Sequence, residues 1–444
     1  MTFSSLAGHI VELAKLYEAT TKPADHLVAE FLKPRSYIGS HDRRFITRSF
    51  YGMVRHRRRV QVLLRQYGSE QTNIPEEFSR TTLSQFVAYA LAVEEFDPGE
   101  IIGRLQDRWQ TALPEVRLDD ITYWLARNKS LDFLQGDDIK QLCDWYSFEE
   151  WMVREWVEQF GQDEAEDLLH ALNGEAPTTL RANTLKTSVE RCRQRLKDEG
   201  VETTQTRIAP NGLVSARRFN AEASKAFKDG WFEVQDEGSQ IVCLLAQPQP
   251  DSFVIDACAG AGGKALMMAE MMNNRGEILA VDVESGRLRE LEKRARRNGA
   301  TIIVPQRTGE IHPGDLLSKA DVVLVDAPCS GVGTIRRNPA FKWSVTPALV
   351  ERYARQQSEI LDSNASYVKR GGKLVYATCS LMWQENENVV DKFLNEHPEF
   401  HPAPPSSSLT QTIIERLRET PYQKLLPHRH GTDGFFVAVL ERKE

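Results

Sequence analysis

Two short stretches hold the residue types that could do covalent chemistry. In "VDAPCSGVGTIRRNPAFKW", residues 325–343, an apolar run ends in Asp326, and Pro328 and Cys329 follow. In "LVYATCSLMWQENENVV", residues 374–390, a second apolar run ends in Thr378 and Cys379. A thiolate can add to carbon 6 of a pyrimidine, which turns carbon 5 into an enamine carbon able to attack an electrophilic methyl group. A base must then take the carbon-5 proton so that the thiolate can leave. Such chemistry needs a reactive cysteine and a carboxylate at the pyrimidine edge, and a second group that assists release helps it. An aspartate is the usual acceptor for the amino group of cytosine. Taken singly, a free cysteine is ordinarily a small buried apolar residue. Two of them at matching ends of successive strands, beside a ligand loop, point to chemistry instead.

The ligand loop lies upstream. "VIDACAGAGGKALMMAE" reads as a strand, a glycine-rich turn and a helix. Small residues crowd the turn, which runs through Cys258, Ala259, Gly260, Ala261, Gly262, Gly263 and Lys264, so that backbone can approach a ligand closely. The spacing is neither a P-loop nor an exact G-x-G-x-x-G. In "EILAVDVESGRLREL", Asp282 ends the next strand, where a carboxylate suits the two hydroxyls of an adenosine ribose. Asp256 and Asp282 at successive strand ends suit S-adenosyl-L-methionine, whose sulfonium and amino groups are cationic. A dinucleotide site would present the same pattern.

These loops require a scaffold of alternating strands and helices. From about residue 250, short apolar strands ("FVIDA", "EILAVD", "TIIVPQ", "DVVLVD", "GKLVYAT", "GFFVAVL") alternate with amphipathic helices. That pattern predicts an α/β fold with a mainly parallel sheet covered on both faces, with ligands beyond the carboxyl ends of its strands. Residues 1–165 read as helical throughout, with Leu6, Ile10, Leu13 and Leu16 at helical spacing and Ser40 as N-cap of one long helix through "DRRFITRSFYGMVRHRRRVQVLL". Residues 166–230 read as a small α+β segment and 231–444 as the catalytic domain. "HPAPPSSSLTQT", residues 401–412, reads as a Pro/Ser-rich surface loop.

Composition narrows the class. Of the 444 residues, 41% are hydrophobic and 27% charged, values of a globular protein of two or three domains. No apolar run approaches the roughly 18 residues of a membrane span, and the N-terminus lacks the pattern of a signal peptide. A cytoplasmic protein with no membrane partner is expected. The six cysteines are scattered, without C-x-x-C or Cys/His clusters, so no structural metal is expected. The net charge is −7, but residues 1–70 hold 12 Lys+Arg against 6 Asp+Glu, while residues 94–167 hold 7 against 20. The basic excess centres on "RHRRRVQVLLR", where Arg57, Arg58 and Arg59 are candidates for phosphate contacts; a solvated helix face would look the same.

"DAPCSGVGTIRRNPAFKW" with "YATCSLMWQENENVV" resembles the Sun/Nop (RsmB-like) family of RNA cytosine-5 methyltransferases, whose bacterial members modify ribosomal RNA. "VQDEGSQ", "DACAGAGGK", "VDVESGRL" and "LLPHRHGTDGFFVAVLER" match the same family in order, and the resemblance covers residues 175–444. It implies a Rossmann-like S-adenosylmethionine methyltransferase domain. It also implies that Cys379, in the Thr-Cys-Ser motif, is the nucleophile, that Cys329 assists release and that Asp326 contacts the base. By the same resemblance residues 258–264 and Asp282 hold the donor, with Arg287 and Asp326 as further candidates. Arg336, Arg337 and Lys342, the basic residues that follow the Pro-Cys pair, are candidates for contacts with RNA. The family loop reads Cys-Ala-Ala-Pro-Gly-Gly-Lys-Thr; here Gly260, Ala261 and Ala265 replace Ala, Pro and Thr, which predicts a looser loop. The family's acid near the adenine aligns with Thr308, leaving Glu310 or Asp315 as substitutes. "SHDRRFITRSFYGMVRHRRRVQVLL" resembles an NusB-like RNA-binding helical domain, and the α+β segment resembles an RNA-recognition subdomain. The expectation is a monomer acting on RNA, most simply ribosomal RNA. The alternatives are the same chemistry on tRNA, or a non-catalytic RNA-binding assembly factor.

Overall fold

Leu6, Ile10 and Leu13 are buried along the helix Phe3–Glu18, but Leu16 is exposed. At 3.6 residues per turn Leu16 falls roughly 90° off the stripe the other three define. Tyr17, which falls on the stripe, packs there instead, with its ring 5.5 Å from that of Phe50. The computed structural model describes residues 1–71, 74–131, 138–403 and 422–444, so the predicted Pro/Ser-rich loop lies from 404 onward outside the described residues. The chain forms two compact units, Met1–Asn173 with Ile335–Ser344, and Gly174–Thr334 with Val345–Glu444.

In the first unit every described regular element is helical. Its centre is Thr82–Ala92, a helix buried along its whole length. The single long helix expected from residue 40 is two helices, Ser40–Arg55 and Arg57–Glu70, capped at the start by Gly39 rather than Ser40. The break falls at His56, whose φ of −108° and ψ of 20° leave the helical region. The helical run continues past residue 165, because Gln162–Asn173 buries Ala165, Leu168, Leu169 and Leu172 on one face.

Among the described residues the second unit holds two sheets. The smaller one has strands β1 (Thr178–Ala182), β2 (Thr203–Gln205), β3 (Gly212–Ser215) and β4 (Phe232–Val234) in the order β2-β3-β1-β4. Its core gathers Leu180, Leu213 and Phe232 with Cys192 and Leu196 of the helix Val189–Asp198.

Among the described residues the larger sheet has eight strands. Its members are β5 (Phe253–Asp256), β6 (Glu277–Asp282), β7 (Ile303–Arg307), β8 (Ala320–Asp326), β9 (Val368–Thr378), β10 (Phe400–Pro402), β11 (Tyr422–Leu425) and β12 (Phe435–Arg442). The order is β10-β12-β9-β8-β5-β6-β7, with β11 on β12. The strands from β9 to β7 run parallel, and β12 joins β9 antiparallel. Alternation along β8 explains the two covered faces. Val322 and Leu324 pack with the helix Gly263–Met271 on one side, and Val323 and Val325 pack with Pro347–Ala365 on the other. After β7 the chain returns to the far side of β5 to form β8. The strand order therefore reverses between β5 and β8, the place where open α/β sheets bind ligands.

Candidate active site

β8 and β9 are parallel neighbours, with Asp326 opposite Ala377, so the residues following each strand leave the sheet at the same edge. Cys329 Sγ and Cys379 Sγ then sit 3.4 Å apart. Backbone bonds hold the two loops together, from Ala327 N to Ala377 O at 2.9 Å and from Gly333 N to Cys379 O at 3.0 Å. A Cβ at Gly333 would stand 2.2 Å from the Gly434 carbonyl oxygen and 2.8 Å from that of Cys379, so only glycine permits this approach. The hydrogen bond to Cys379, and then burial, push the Cys329 thiol well up from its usual range.

The nucleotide loop follows β5. Asp282 ends β6 and accepts from Gly260 N at 2.9 Å through Oδ2 and from Glu284 N at 2.8 Å through Oδ1. Each oxygen keeps further lone-pair capacity toward a ligand hydroxyl. Gly262 has φ of +84°, and a Cβ there would lie 2.6 Å from Leu291 Cγ, so the turn into the next helix requires glycine twice over. A side chain added at Gly260 would meet no protein atom within 4 Å, which marks the open side of the loop. Where the family loop has proline, the Ala261 carbonyl accepts from Arg294 Nη1 at 2.7 Å, a constraint the sequence did not disclose.

Carboxylates surround this loop. Asp256 is buried at the end of β5, and burial and then the Asp326 charge push its carboxyl up to about 7. Lys264 Nζ donates to Asp326 Oδ2 at 2.5 Å. Burial alone would lower Lys264, but Asp326 outweighs it and holds the ammonium above its usual value. Burial also raises the Cys258 thiol, which makes it a poor nucleophile. An acidic, glycine-lined loop fits a ligand with cationic sulfonium and amino groups.

The remaining candidates stand apart from this constellation. Arg287 is exposed and pairs with Glu284 at 3.0 Å. Thr308, Glu310 and Asp315 are all exposed after β7, whose last residue Arg307 pairs with Asp282 across the sheet.

In the helical unit, Arg57, Arg58, Gln61, Arg65 and Trp343 line a cavity of about 970 Å³. Arg58 donates to Asp144 at 2.6 Å, and Arg59 donates to the Lys129 carbonyl at 2.7 Å and lies over the Trp145 ring. Arg337 is exposed and Arg336 is buried. Lys342, expected to face RNA, is buried completely. Its amine donates to the carbonyls of Arg55, Tyr146 and Ser147 and to Asn173 Oδ1, and lies 3.7 Å from the centre of the Phe148 ring. Those acceptors satisfy the amine inside the core, while burial and then Arg55 push it well below the usual lysine range, so Lys342 is corrected from an RNA ligand to a buried structural lysine.

Sequence reasoning missed Glu385, Ser330, Ser380 and Gln357, which pack beneath the two cysteines. The signal was present as the Cys-Ser dipeptide shared by both motifs, with one acid shortly after the second.

The fold, the glycine-rich loop and the paired strand ends fit an S-adenosylmethionine-dependent methyltransferase. The family described as "16S rRNA methyltransferase RsmB/F" matches residues 243–441, and the family described as "Methyltr_RsmF/B-like, ferredoxin-like domain" matches residues 148–222. A probable ribosomal RNA small subunit methyltransferase B from Synechocystis is 31% identical, covering 90% of this chain and 91% of that protein. A human 28S rRNA (cytosine(4447)-C(5))-methyltransferase is 32% identical over 68% of this chain and 39% of its own length. The solved structure of PH0851 superposes with a TM-score of 0.75 at 27% identity, covering 100% of this chain and 99% of that one. The chain belongs to the RsmB/F family of methyltransferases.

Proposed function

We propose that the chain transfers a methyl group from S-adenosylmethionine to carbon 5 of a cytidine in ribosomal RNA, through a covalent Cys379–cytosine adduct whose release Cys329 assists. The enzyme class is RNA (cytosine-5-)-methyltransferase. The observation that carries the reading is the 3.4 Å thiol pair at the ends of β8 and β9. Cys379 as thiolate forms the bond to carbon 6. The donor, when bound, supplies an electrophilic methyl group to carbon 5. A base then takes the carbon-5 proton, its electron pair re-forms the carbon 5–carbon 6 double bond, and Cys379 leaves as thiolate. Asp326, oriented by Lys264, accepts from the cytosine amino group. Gly260 and its neighbours with Asp282 hold the donor. The base must leave its stack to reach either thiol. The relatives' printed names favour ribosomal RNA over tRNA.

The test maps 5-methylcytosine in RNA from cells with and without the gene. A ribosomal cytidine that loses its methyl group supports the reading. Loss confined to tRNA, or no loss anywhere, overturns it.

A further inference from the structure

A buried carboxylate lies beneath the two thiols, bonded to the residue that follows each of them. Glu385 follows β9 and is wholly buried. Its Oε1 accepts from the Ser330 backbone N–H at 2.7 Å and from Gln357 Nε2 at 3.1 Å. Its Oε2 accepts from the hydroxyls of Ser330 and Ser380, each at 2.5 Å. The two serine oxygens are themselves 3.1 Å apart.

Ser330 follows Cys329 and Ser380 follows Cys379, so one side chain grips both cysteine loops at equivalent positions. Gln357 also donates to the Pro328 carbonyl at 2.9 Å, which fixes the backbone just before Cys329. The Tyr376 hydroxyl donates to the Glu385 carbonyl at 2.5 Å and anchors the residue to β9. Thr378 and Asn386 close the far side, with Thr378 Oγ1 donating to Asn386 Oδ1 at 2.6 Å and Asn386 Nδ2 to Ser380 O at 3.1 Å. A buried charge is retained only where its donors are arranged around it. Here the donors are the groups whose positions decide where the thiols point.

We infer that Glu385 is a positioning residue that sets the spacing of Cys329 and Cys379, and through it the rates of both adduct formation and release. The inference rests on the proposed use of the two cysteines as a working pair. Glu385 reaches no reacting atom; it acts through Ser330 and Ser380. Glu385→Gln keeps the shape and can keep an oxygen on the Ser330 N–H and Gln357, but it puts an NH₂ donor where the two serine hydroxyls donated, so both hydroxyls must turn to accept and both lose a bond to a carboxylate. The two loops are then held less firmly.

Two readouts test this on the full-length chain. The first needs neither RNA nor methyl transfer. Diamide accepts two hydrogens from a thiol pair, leaving a disulfide and the hydrazine, and peptide mass spectrometry follows the Cys329–Cys379 cross-link over time. Glu385→Gln should slow that cross-link by at least about tenfold, because displacements near 1 Å change rates of oriented reactions by up to about 10²-fold. The second is steady-state kinetics, where kcat should fall roughly 10- to 100-fold while KM for S-adenosylmethionine stays within about twofold. Ser380→Ala removes one grip with little change in volume and should reproduce a smaller version of both effects, which keeps the test available should Glu385→Gln fail to fold. A folded Glu385→Gln or Ser380→Ala protein that binds the donor normally, and cross-links and turns over at the wild-type rate, overturns the inference. If the cross-link slows but Cys379→Ala still methylates RNA, the spacing role stands and the proposed nucleophile falls.

Discussion

Cys329 Sγ lies 3.4 Å from Cys379 Sγ, and the loops carrying them are fastened to each other by backbone hydrogen bonds, so neither thiol approaches a base without the other. With unequal roles, the alanine variants must fail at different steps. Cys329→Ala should still form the adduct and transfer the methyl group, then stall. A protein–RNA band that survives a denaturing gel and carries label from the methyl donor is expected. Cys379→Ala and the double variant should give no band. A stable band from Cys379→Ala would exchange the two roles.

Asp282 links the glycine-rich loop to the end of β6 through Gly260 and Glu284. Asp282→Ala should weaken S-adenosylmethionine binding at least about tenfold, since a hydrogen bond to a charged group is worth about 1.5–3 kcal/mol and about 1.4 kcal/mol is a factor of ten. Calorimetry reads this directly, and an unchanged dissociation constant would remove Asp282 from the donor site.

The pairing of the two cysteines was legible because local pattern decides it. "DVVLVDAPC" and "LVYATC" each show a buried strand ending in a small-residue turn, and parallel α/β sheets bring such ends to one edge. Lys342 was not legible in the same way. Its partners lie between 169 and 287 positions away, and a lysine in a Gly/Arg-rich loop reads locally as exposed. The break at His56 and the exposure of Leu16 were hidden too, because propensity does not say which residues a tertiary core will accept. Glu385 lay between these cases: its partners are near in space to a recognised motif, but only the fold shows that one carboxylate serves both Cys-Ser dipeptides.

The burial of Lys342 leads to a stability prediction. Lys342→Ala strands several carbonyl acceptors in the core of the helical unit and leaves a cavity. The cost should be about 2–4 kcal/mol, read as a lower urea midpoint. RNA affinity per folded molecule should keep its salt slope. A flattened slope with unchanged stability would restore Lys342 to the RNA surface.

Asp256 adds a pH dependence. Its carboxyl is raised from the usual 3.8 to about 7 by burial and then by Asp326, so the folded state binds a proton that the unfolded state has already lost. The stability this contributes is fully present below pH 3.8 and is lost as pH rises through about 7. Glu270, raised to about 7 by burial against the opposing pull of Arg181, titrates in the same window. Asp256→Asn should therefore lose less stability than wild type across that window, without becoming flat. Urea midpoints measured along a pH series would show the two curves diverging; parallel curves would mean that Asp256 titrates alike in both states.

The basic cavity of the helical unit gives the last prediction. Arg58 and Arg59 are committed to Asp144 and to the Lys129 carbonyl, so reversing them would damage the unit itself. Arg57 and Arg65 line the same cavity, with Arg65 exposed and Arg57 lying 5.7 Å from the centre of the Trp343 ring. If this face tracks the RNA backbone, Arg57→Glu with Arg65→Glu should weaken RNA binding while thermal stability stays near wild type. Each lost phosphate contact lowers the log–log salt slope by about 0.9 on duplex and about 0.7 on single strands, so the double variant should flatten it by roughly 1.4–1.8. Binding isotherms across a salt series decide the matter. Curves that overlay those of the wild type would make this basic stripe a solvated helix face, and would leave RNA recognition to the unit that carries the cysteines.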